Sequence, residues 1–255
     1  MDKDVYEKII QKKELSQLRK KDVELAFNHF VKRNVGSEEK IRLTRELLHK
    51  VFSVFSSGKL LNKKILDKKS VDEILKKHIS TKERFEFYRD LYNIILKDYD
   101  KVSVIDLGAG INGLSYKYFP CVVNYVGVES VGQFVELMNS FFIKQKISGK
   151  AYHLSLFELK KVKELIKKTK KPRIVFLFKT VDSLEMLERD YSKKLLLEIV
   201  PLVDKVVVSF ATKSLLAKKS FKIKRYWFEN FVKENFNLLD NFELGGEKYF
   251  VFKKK

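Results

Sequence analysis

The hydrophobic periodicity of the chain changes once, at Val102, and that change limits the architectures open to it. Ahead of it, apolar residues recur at helical spacing: Val5, Ile9 and Ile10; Val23, Phe27, Phe30 and Val31; Leu43, Leu47, Val51 and Val54 with Phe55. Gly36-Ser37 separates the second helix from the third. Ser37 is its expected N-cap, and Glu38 and Glu39 fall in the first turn, where the helix dipole favours acids. Ser56-Ser57-Gly58 ends the third helix. A further helix is predicted from Ser70-Val71-Asp72-Glu73. Ser80-Thr81-Lys82-Glu83 has capping-box spacing and opens another, with Phe85, Tyr88, Leu91, Tyr92 and Ile95 turned inward. No strand pattern interrupts this region.

Beyond Val102, short β-rich runs alternate with helical stretches. The runs are Val102–Asp106, Val122–Val128, Ala151–Leu154, Arg173–Phe178, Lys205–Phe210, Phe236–Phe242 and Tyr249–Phe252; Gly132–Lys146 and Glu158–Lys168 have helical composition. Alternation of this kind predicts a mostly parallel sheet covered by helices. The last two runs are separated by a link of hairpin length around Gly245-Gly246, which predicts an antiparallel pair at the end of the sheet. Two units are therefore expected: an all-helical domain over 1–99 and an α/β domain over 100–255.

Ten glycines and three prolines in 255 residues favour long regular elements. The single cysteine, Cys121, excludes an intramolecular disulfide and a cysteine-based zinc cluster, and a reducing compartment follows. No stretch approaches the roughly 20 apolar residues that span a bilayer. Met1-Asp2-Lys3-Asp4 runs straight into a charged helix with no apolar signal core. The expectation is a cytoplasmic protein, monomeric and without membrane contact. The formal charge of +20 attracts polyanions, and RNA is the natural candidate. The lysines are spread along the whole chain, so a generally lysine-rich composition is the competing explanation.

The strongest local signal is Val104-Ile105-Asp106-Leu107-Gly108-Ala109-Gly110. An apolar strand runs into an acid and a Gly-x-Gly turn, and Asn112 can start the next helix. Gly108, Gly110 and Gly113 match the dinucleotide fingerprint, so a nicotinamide or flavin cofactor stays open. Asp106 tilts the balance, because a carboxylate beside the turn suits the ammonium and sulfonium of S-adenosyl-L-methionine better than a pyrophosphate. The next strand ends at Glu129, a carboxylate able to accept both ribose hydroxyls of either cofactor type, or to serve as an ordinary helix N-cap. Lys179 follows the apolar run Ile174–Phe178, at the strand edge where open α/β sheets bind ligands.

Four ordered segments make a specific resemblance. His78-Ile79-Ser80-Thr81-Lys82-Glu83-Arg84 resembles the His-x-Ser-Thr-(Lys/Arg)-Glu-Arg signature of the aminoglycoside-resistance ribosomal RNA methyltransferases, which act on N7 of a guanine in the decoding region. Asp106–Asn112 is similar to that family's Asp-x-Gly-(Cys/Ala)-Gly-x-Asn loop, and Phe176-Leu177-Phe178-Lys179 to its Phe-Leu-Leu-Lys strand end. Ser209-Phe210-Ala211-Thr212-Lys213-Ser214-Leu215 resembles Ser-Phe-Pro-x-(Lys/Arg)-Ser-Leu. The chain departs at Gly113 and Ala211, where the family has proline. It departs again at Leu216-Ala217-Lys218-Lys219, in place of a glycine-rich continuation, and at Glu129, in place of aspartate. No acid for the adenine amino group is evident after the third strand; Ser155 and Glu158 are the nearest candidates.

The resemblance implies a class I, Rossmann-like methyltransferase sheet behind an N-terminal helical domain that targets RNA. It implies S-adenosyl-L-methionine as cofactor and 16S-type rRNA within the small ribosomal subunit as partner. Carried over by position, Arg84 and Lys179 hold the cofactor carboxylate, Gly108 its amino-acid moiety and Glu129 its ribose. His78, Ser80, Asp106, Gly110 and Ser155 complete the expected cofactor set, while Lys213, Ser214, Lys218 and Lys219 face the RNA. Guanine N7 carries a free lone pair, so no general base is expected. Reaching the base requires unstacking it, with Tyr226 or Trp227 as an aromatic support or, alternatively, as core residues. The competing functions are methylation of another RNA or substrate, and a non-catalytic RNA-binding assembly factor.

Overall fold

The computed structural model describes residues 1–53, 62, 64–212 and 225–255. Ahead of the sheet come α1 (Lys3–Ile10), α2 (Lys20–Asn28), α3 (Ser37–Leu48), α4 (Ile65–Lys68), α5 (Val71–Leu75), α6 (Ile79–Arg84) and α7 (Tyr88–Leu96). Their apolar stripes close on one another through Ile9, Val23, Ala26, Ile41, Leu48 and Val51, all buried. α3 continues into a π-helical turn, His49–Ser53. Val54, Phe55 and the expected break at Ser56-Ser57-Gly58 lie outside the described residues.

Two cap expectations change. Gly36 is the N-cap of α3, so Ser37 is already helical and caps nothing. α6 starts one residue before Ser80 with His78 at its N-cap, and the Ser80 hydroxyl accepts from the Arg84 guanidinium instead of capping a helix. The reciprocal capping box forms at α5, where Ser70 Oγ accepts from Glu73 N–H and the Glu73 carboxylate accepts from Ser70 N–H.

The strands are β1 (Lys101–Leu107), β2 (Val122–Glu129), β3 (Gly149–His153), β4 (Arg173–Phe178), β5 (Lys205–Ala211), β6 (Asn237–Leu244) and β7 (Glu247–Lys253). They form one sheet in the order β3-β2-β1-β4-β5-β7-β6. The first five are parallel, and β7 runs antiparallel between β5 and β6, as the hairpin-length link predicts. The connecting helices are α8 (Gly132–Lys144), α9 (Leu159–Lys168), α10 (Val181–Leu187), α11 (Tyr191–Ile199) and α12 (Tyr226–Asn235). β1, β4 and β5 are buried on both faces over most of their length, which is why they read as unbroken apolar runs.

α7 is fastened by aromatic contact to the segment that links β1 to β2. Tyr92 stacks on Phe119 at 4.2 Å between ring centroids, and Tyr88 on Tyr118 at 5.5 Å. Both phenols are fully buried, and each finds a partner: Tyr88 Oη donates to Asn112 Oδ1 at 2.9 Å, and Tyr92 Oη meets Ser115 Oγ at 2.6 Å. Burying each ring contributes about 1.5–3 kcal/mol, with a further ~0.5–1.5 kcal/mol for each well-placed pair. Tyr92 also stacks on Phe176 of β4, centroids 6.2 Å apart, so α7 packs against the sheet as well as the link.

The β6–β7 hairpin reaches the same place. Gly245 adopts φ +59°, and a Cβ there would lie 2.5 Å from the Phe87 ring. Only glycine permits both the turn and the approach. The contact brings Glu247, the first residue of β7, against Arg84 at the end of α6.

Candidate functional site

The carboxyl ends of β1, β2 and β4, with the residues that follow β3, open into one cavity of about 850 Å³ including its mouth. His78, Ser80, Arg84, Asp106, Gly108, Gly110, Glu129 and Lys179, eight of the nine expected cofactor residues, line it together. The ninth, Ser155, is fully buried behind the wall.

At the β4 end stand two buried cations. The Arg84 guanidinium donates to Glu247 Oε1 at 2.9 Å, Asn112 Oδ1 at 3.1 Å and Ser80 Oγ at 2.5 Å. A guanidinium has five N–H donors, so two exceed these contacts. Lys179 follows β4 in the left-handed region, φ +57°, a conformation costly for a residue with a Cβ. Its backbone N–H is held by Ser209 O at 3.0 Å, and its ammonium contacts Glu83 and, at 3.2 Å, Glu247. Glu247 is a carboxylate that sequence reasoning missed. Burial pushes its pKa up, but Arg84, Lys179 and the Ser209 hydroxyl outweigh this and hold it below the ordinary value.

The glycine loop crosses the middle. Gly108 has φ +77°, and a Cβ there would meet Thr180 Oγ1 at 2.6 Å. The loop runs into a 3-10 turn, Asn112–Tyr118, and not the long α-helix on which a dinucleotide pyrophosphate rests. Asp106 accepts from Asn112 Nδ2 and Tyr125 Oη, both 2.7 Å and both on Oδ2. Burial raises its pKa against these two bonds. Glu129 is held by backbone alone: Oε2 accepts from Gly110 N–H and Oε1 from Val131 N–H, both 2.8 Å. Burial pushes Glu129 up to about 7. The Val131 bond is the N-cap-like contact foreseen as its ordinary role, and the residue lines the cavity as well.

His78 packs edge-on to Phe134, centroids 5.5 Å apart. Burial, with Arg84 and Lys179 nearby, lowers its pKa to about 3, so the imidazole is neutral across the physiological range. Past β3, Leu156 and Phe157 join Val131 and Phe134 in an apolar wall. Asp22, from α2, completes the lining at this end and was not foreseen; its sequence context, Lys20-Lys21-Asp22, looks like a solvated helix start. Glu158 faces away, paired to Arg19 at 3.1 Å and to Lys161.

Lys213, Ser214, Lys218 and Lys219 lie outside the described residues. Tyr226 and Trp227 are not core residues: they are 56% and 38% exposed at the start of α12. Arg225 just ahead of them bonds Asp182 in α10 at 2.7 Å, which ties this end of α12 to the segment following Lys179. No helix is long and apolar enough to cross a membrane among the described residues.

Comparison with known proteins agrees with this geometry. The family model described as ribosomal RNA methyltransferase (FmrO) matches residues 64–250. The solved 16S rRNA methyltransferase RmtF, in complex with S-adenosyl-L-homocysteine, superposes with a TM-score of 0.83 at 20% identity over the whole of both chains. An rRNA methylase from Escherichia coli gives 0.80 at 19% identity, over 99% of each chain. The 16S rRNA methylase ArmA gives 0.60 at 26% identity, covering 77% of this chain and 97% of that one. Comparison with curated protein sequences finds no match.

Proposed function

The chain belongs to the ribosomal RNA methyltransferase (FmrO) family, and we propose that it uses S-adenosyl-L-methionine to methylate N7 of a guanine in the decoding region of 16S-type rRNA. The observation that carries the cofactor assignment is the order of side chains along the strand ends. Arg84 and Lys179 stand at β4, the glycine loop at β1 and Glu129 at β2. Cations meet the amino-acid carboxylate, the loop admits the tail and a carboxylate receives the ribose hydroxyls. Bound there, S-adenosyl-L-methionine supplies an electrophilic methyl group on a sulfonium.

The work left to the protein is alignment. Arg84 and Lys179, from different elements but side by side on Glu247, anchor the tail, and Glu129 sets the ribose from a backbone-fixed position. The N7 reading is supported by the weakness of His78, a histidine of the cavity wall, as a base: its pKa of about 3 leaves it unable to hold a proton near neutrality. His78 stays neutral and packed in the wall, and His153 Nε2 is engaged with Ser130 O at 3.0 Å. A ring nitrogen with an available lone pair needs no base. We assign RNA targeting to the helical segment 1–99 and transfer to 100–255, and offer Tyr226 and Trp227, on the strength of their exposure, as the aromatic support for an unstacked base.

Methylation of small subunits, followed by borohydride reduction and aniline treatment, tests the acceptor. Cleavage at one guanine is expected. A base-methylated product that resists cleavage overturns the N7 assignment and leaves the cofactor site standing.

A further inference from the structure

Asp22 has no part in the reading so far, although it is a carboxylate inside the cavity. It is 2% exposed and carried by α2, in the segment ahead of the sheet. Ser130 Oγ donates to its Oδ2, and Ser155 Oγ donates to its Oδ1 at 2.8 Å. Nearby Arg19 is committed to Glu158 at 3.1 Å. A carboxylate offers about four acceptor positions, and two hydroxyls fill half of them. Burying the charge with so little compensation is unfavourable unless a further donor arrives.

The sheet identifies the donor. Along the cavity edge the strands follow β4, β1, β2, β3, each step about 4.8 Å, so the span from Lys179 to the end of β3 is about 14 Å. Tail at β4 and ribose at β2 leave the base beyond β2, between the apolar side chains of Val131, Phe134, Leu156 and Phe157. The strand itself supplies no acid there: Ser155 is buried behind the wall and Glu158 faces away. We infer that Asp22 accepts a hydrogen bond from the exocyclic amino group of the cofactor's adenine, with Ser130 and Ser155 fixing the carboxylate. This rests on the reading of the cavity as the S-adenosylmethionine site.

The rest of the chain holds Asp22 where this requires. Gly132 N–H donates to Gln17 O at 3.0 Å, Gln133 Nε2 donates to Lys13 O at 3.0 Å, and Leu18 bridges to Val131. Burial raises Asp22 to about 6, against the two serine bonds, so at pH 7.5 it is ionised and only accepts. The helical segment therefore reads the base of the cofactor, while Arg84, from the same segment, reads its tail.

Calorimetry on the full chain with two ligands tests this: S-adenosyl-L-homocysteine and S-inosyl-L-homocysteine, whose 6-oxo group accepts where the amino group donates. Wild type should favour the adenosyl ligand by roughly tenfold or more. Asp22→Asn, whose amide can donate to the 6-oxo group, should bring that ratio to unity or reverse it. Asp22→Ala should weaken the adenosyl ligand alone. A carboxylate that merely tied Ser130 to Ser155 would change both affinities in proportion. An unchanged ratio in Asp22→Asn overturns the inference. So does wild type binding both ligands equally, which needs no variant to fold. Wild type binding neither ligand overturns the cofactor assignment itself, an outcome distinct from lost discrimination.

Discussion

Glu247→Gln removes one negative charge from the buried cluster that holds Arg84 and Lys179, and its cost can be worked from the contacts. The carboxylate is fully buried, 2.9 Å from Arg84 Nε and 3.2 Å from Lys179 Nζ, and Ser209 Oγ donates to it at 2.6 Å. At an effective dielectric near 20, each ion pair is worth about 5–6 kcal/mol before desolvation. Desolvation cancels much of that, and breaking a buried pair by removing one partner typically costs about 3–5 kcal/mol. Glutamine keeps the shape and one acceptor oxygen, so we expect about 3 kcal/mol, read as a shift in the urea midpoint at pH 7.5 with unchanged slope. The sign with pH follows from the depressed pKa. The advantage over glutamine is complete above the ordinary carboxylate value and disappears as pH falls through the lowered one. Saturating S-adenosyl-L-homocysteine should narrow the gap, because its carboxylate returns a negative charge to the same two cations. A gap below about 1 kcal/mol, or one indifferent to the ligand, would refute the view that Glu247 balances the pair.

Gly108→Ala should destabilise the protein by about 2 kcal/mol and weaken cofactor binding, since its Cβ meets Thr180 and its φ is +77°. Adding Thr180→Ala should restore the part due to the clash, leaving about 1 kcal/mol from the backbone, measurable by thermal melts. Glu129 has its folded pKa raised to about 7, so its contribution to ligand-free stability is fullest below the unfolded value and is lost as pH rises through 7. Between pH 5 and 8 the ligand-free wild type should therefore lose up to about 3 kcal/mol relative to Glu129→Gln; parallel melting curves across that range would contradict this. With His78 held neutral by a pKa of about 3, the kcat profile should show no inflection between pH 5 and 8 that disappears in His78→Asn.

Much of the fold was legible because burial leaves a period in the sequence. β1, β4 and β5 are apolar on both faces, and the helices ahead of Val102 carry one-sided stripes. The motif residues were legible for a related reason: glycine turns and strand-end polar residues interrupt apolar runs. Asp22 and Glu247 were not, because neither interrupts anything. Each sits in a locally polar stretch and is buried only by partners far along the chain, 108 and 133 residues away for Asp22 and 163 for Glu247. Ser80 misled for the opposite reason. Its spacing to Glu83 is that of a cap, but an arginine one turn later claims the hydroxyl.

The placement of charge in the cavity separates ligands by sign. Its two bases are already paired from behind by Glu247 and Glu83, whereas Asp22, Asp106 and Glu129 form no ion pair among the described residues, and burial raises all three. A protein of net charge +20 thus encloses an acidic pit. Polyanions gather on the exterior, but a phosphate entering the pit meets three carboxylates and is turned back. Positive groups are drawn the other way, inward. The surface can hold an RNA backbone closely while only the uncharged edge of a base approaches the interior. A sulfonium that loses its methyl group loses its charge as well, and with it part of its reason to stay.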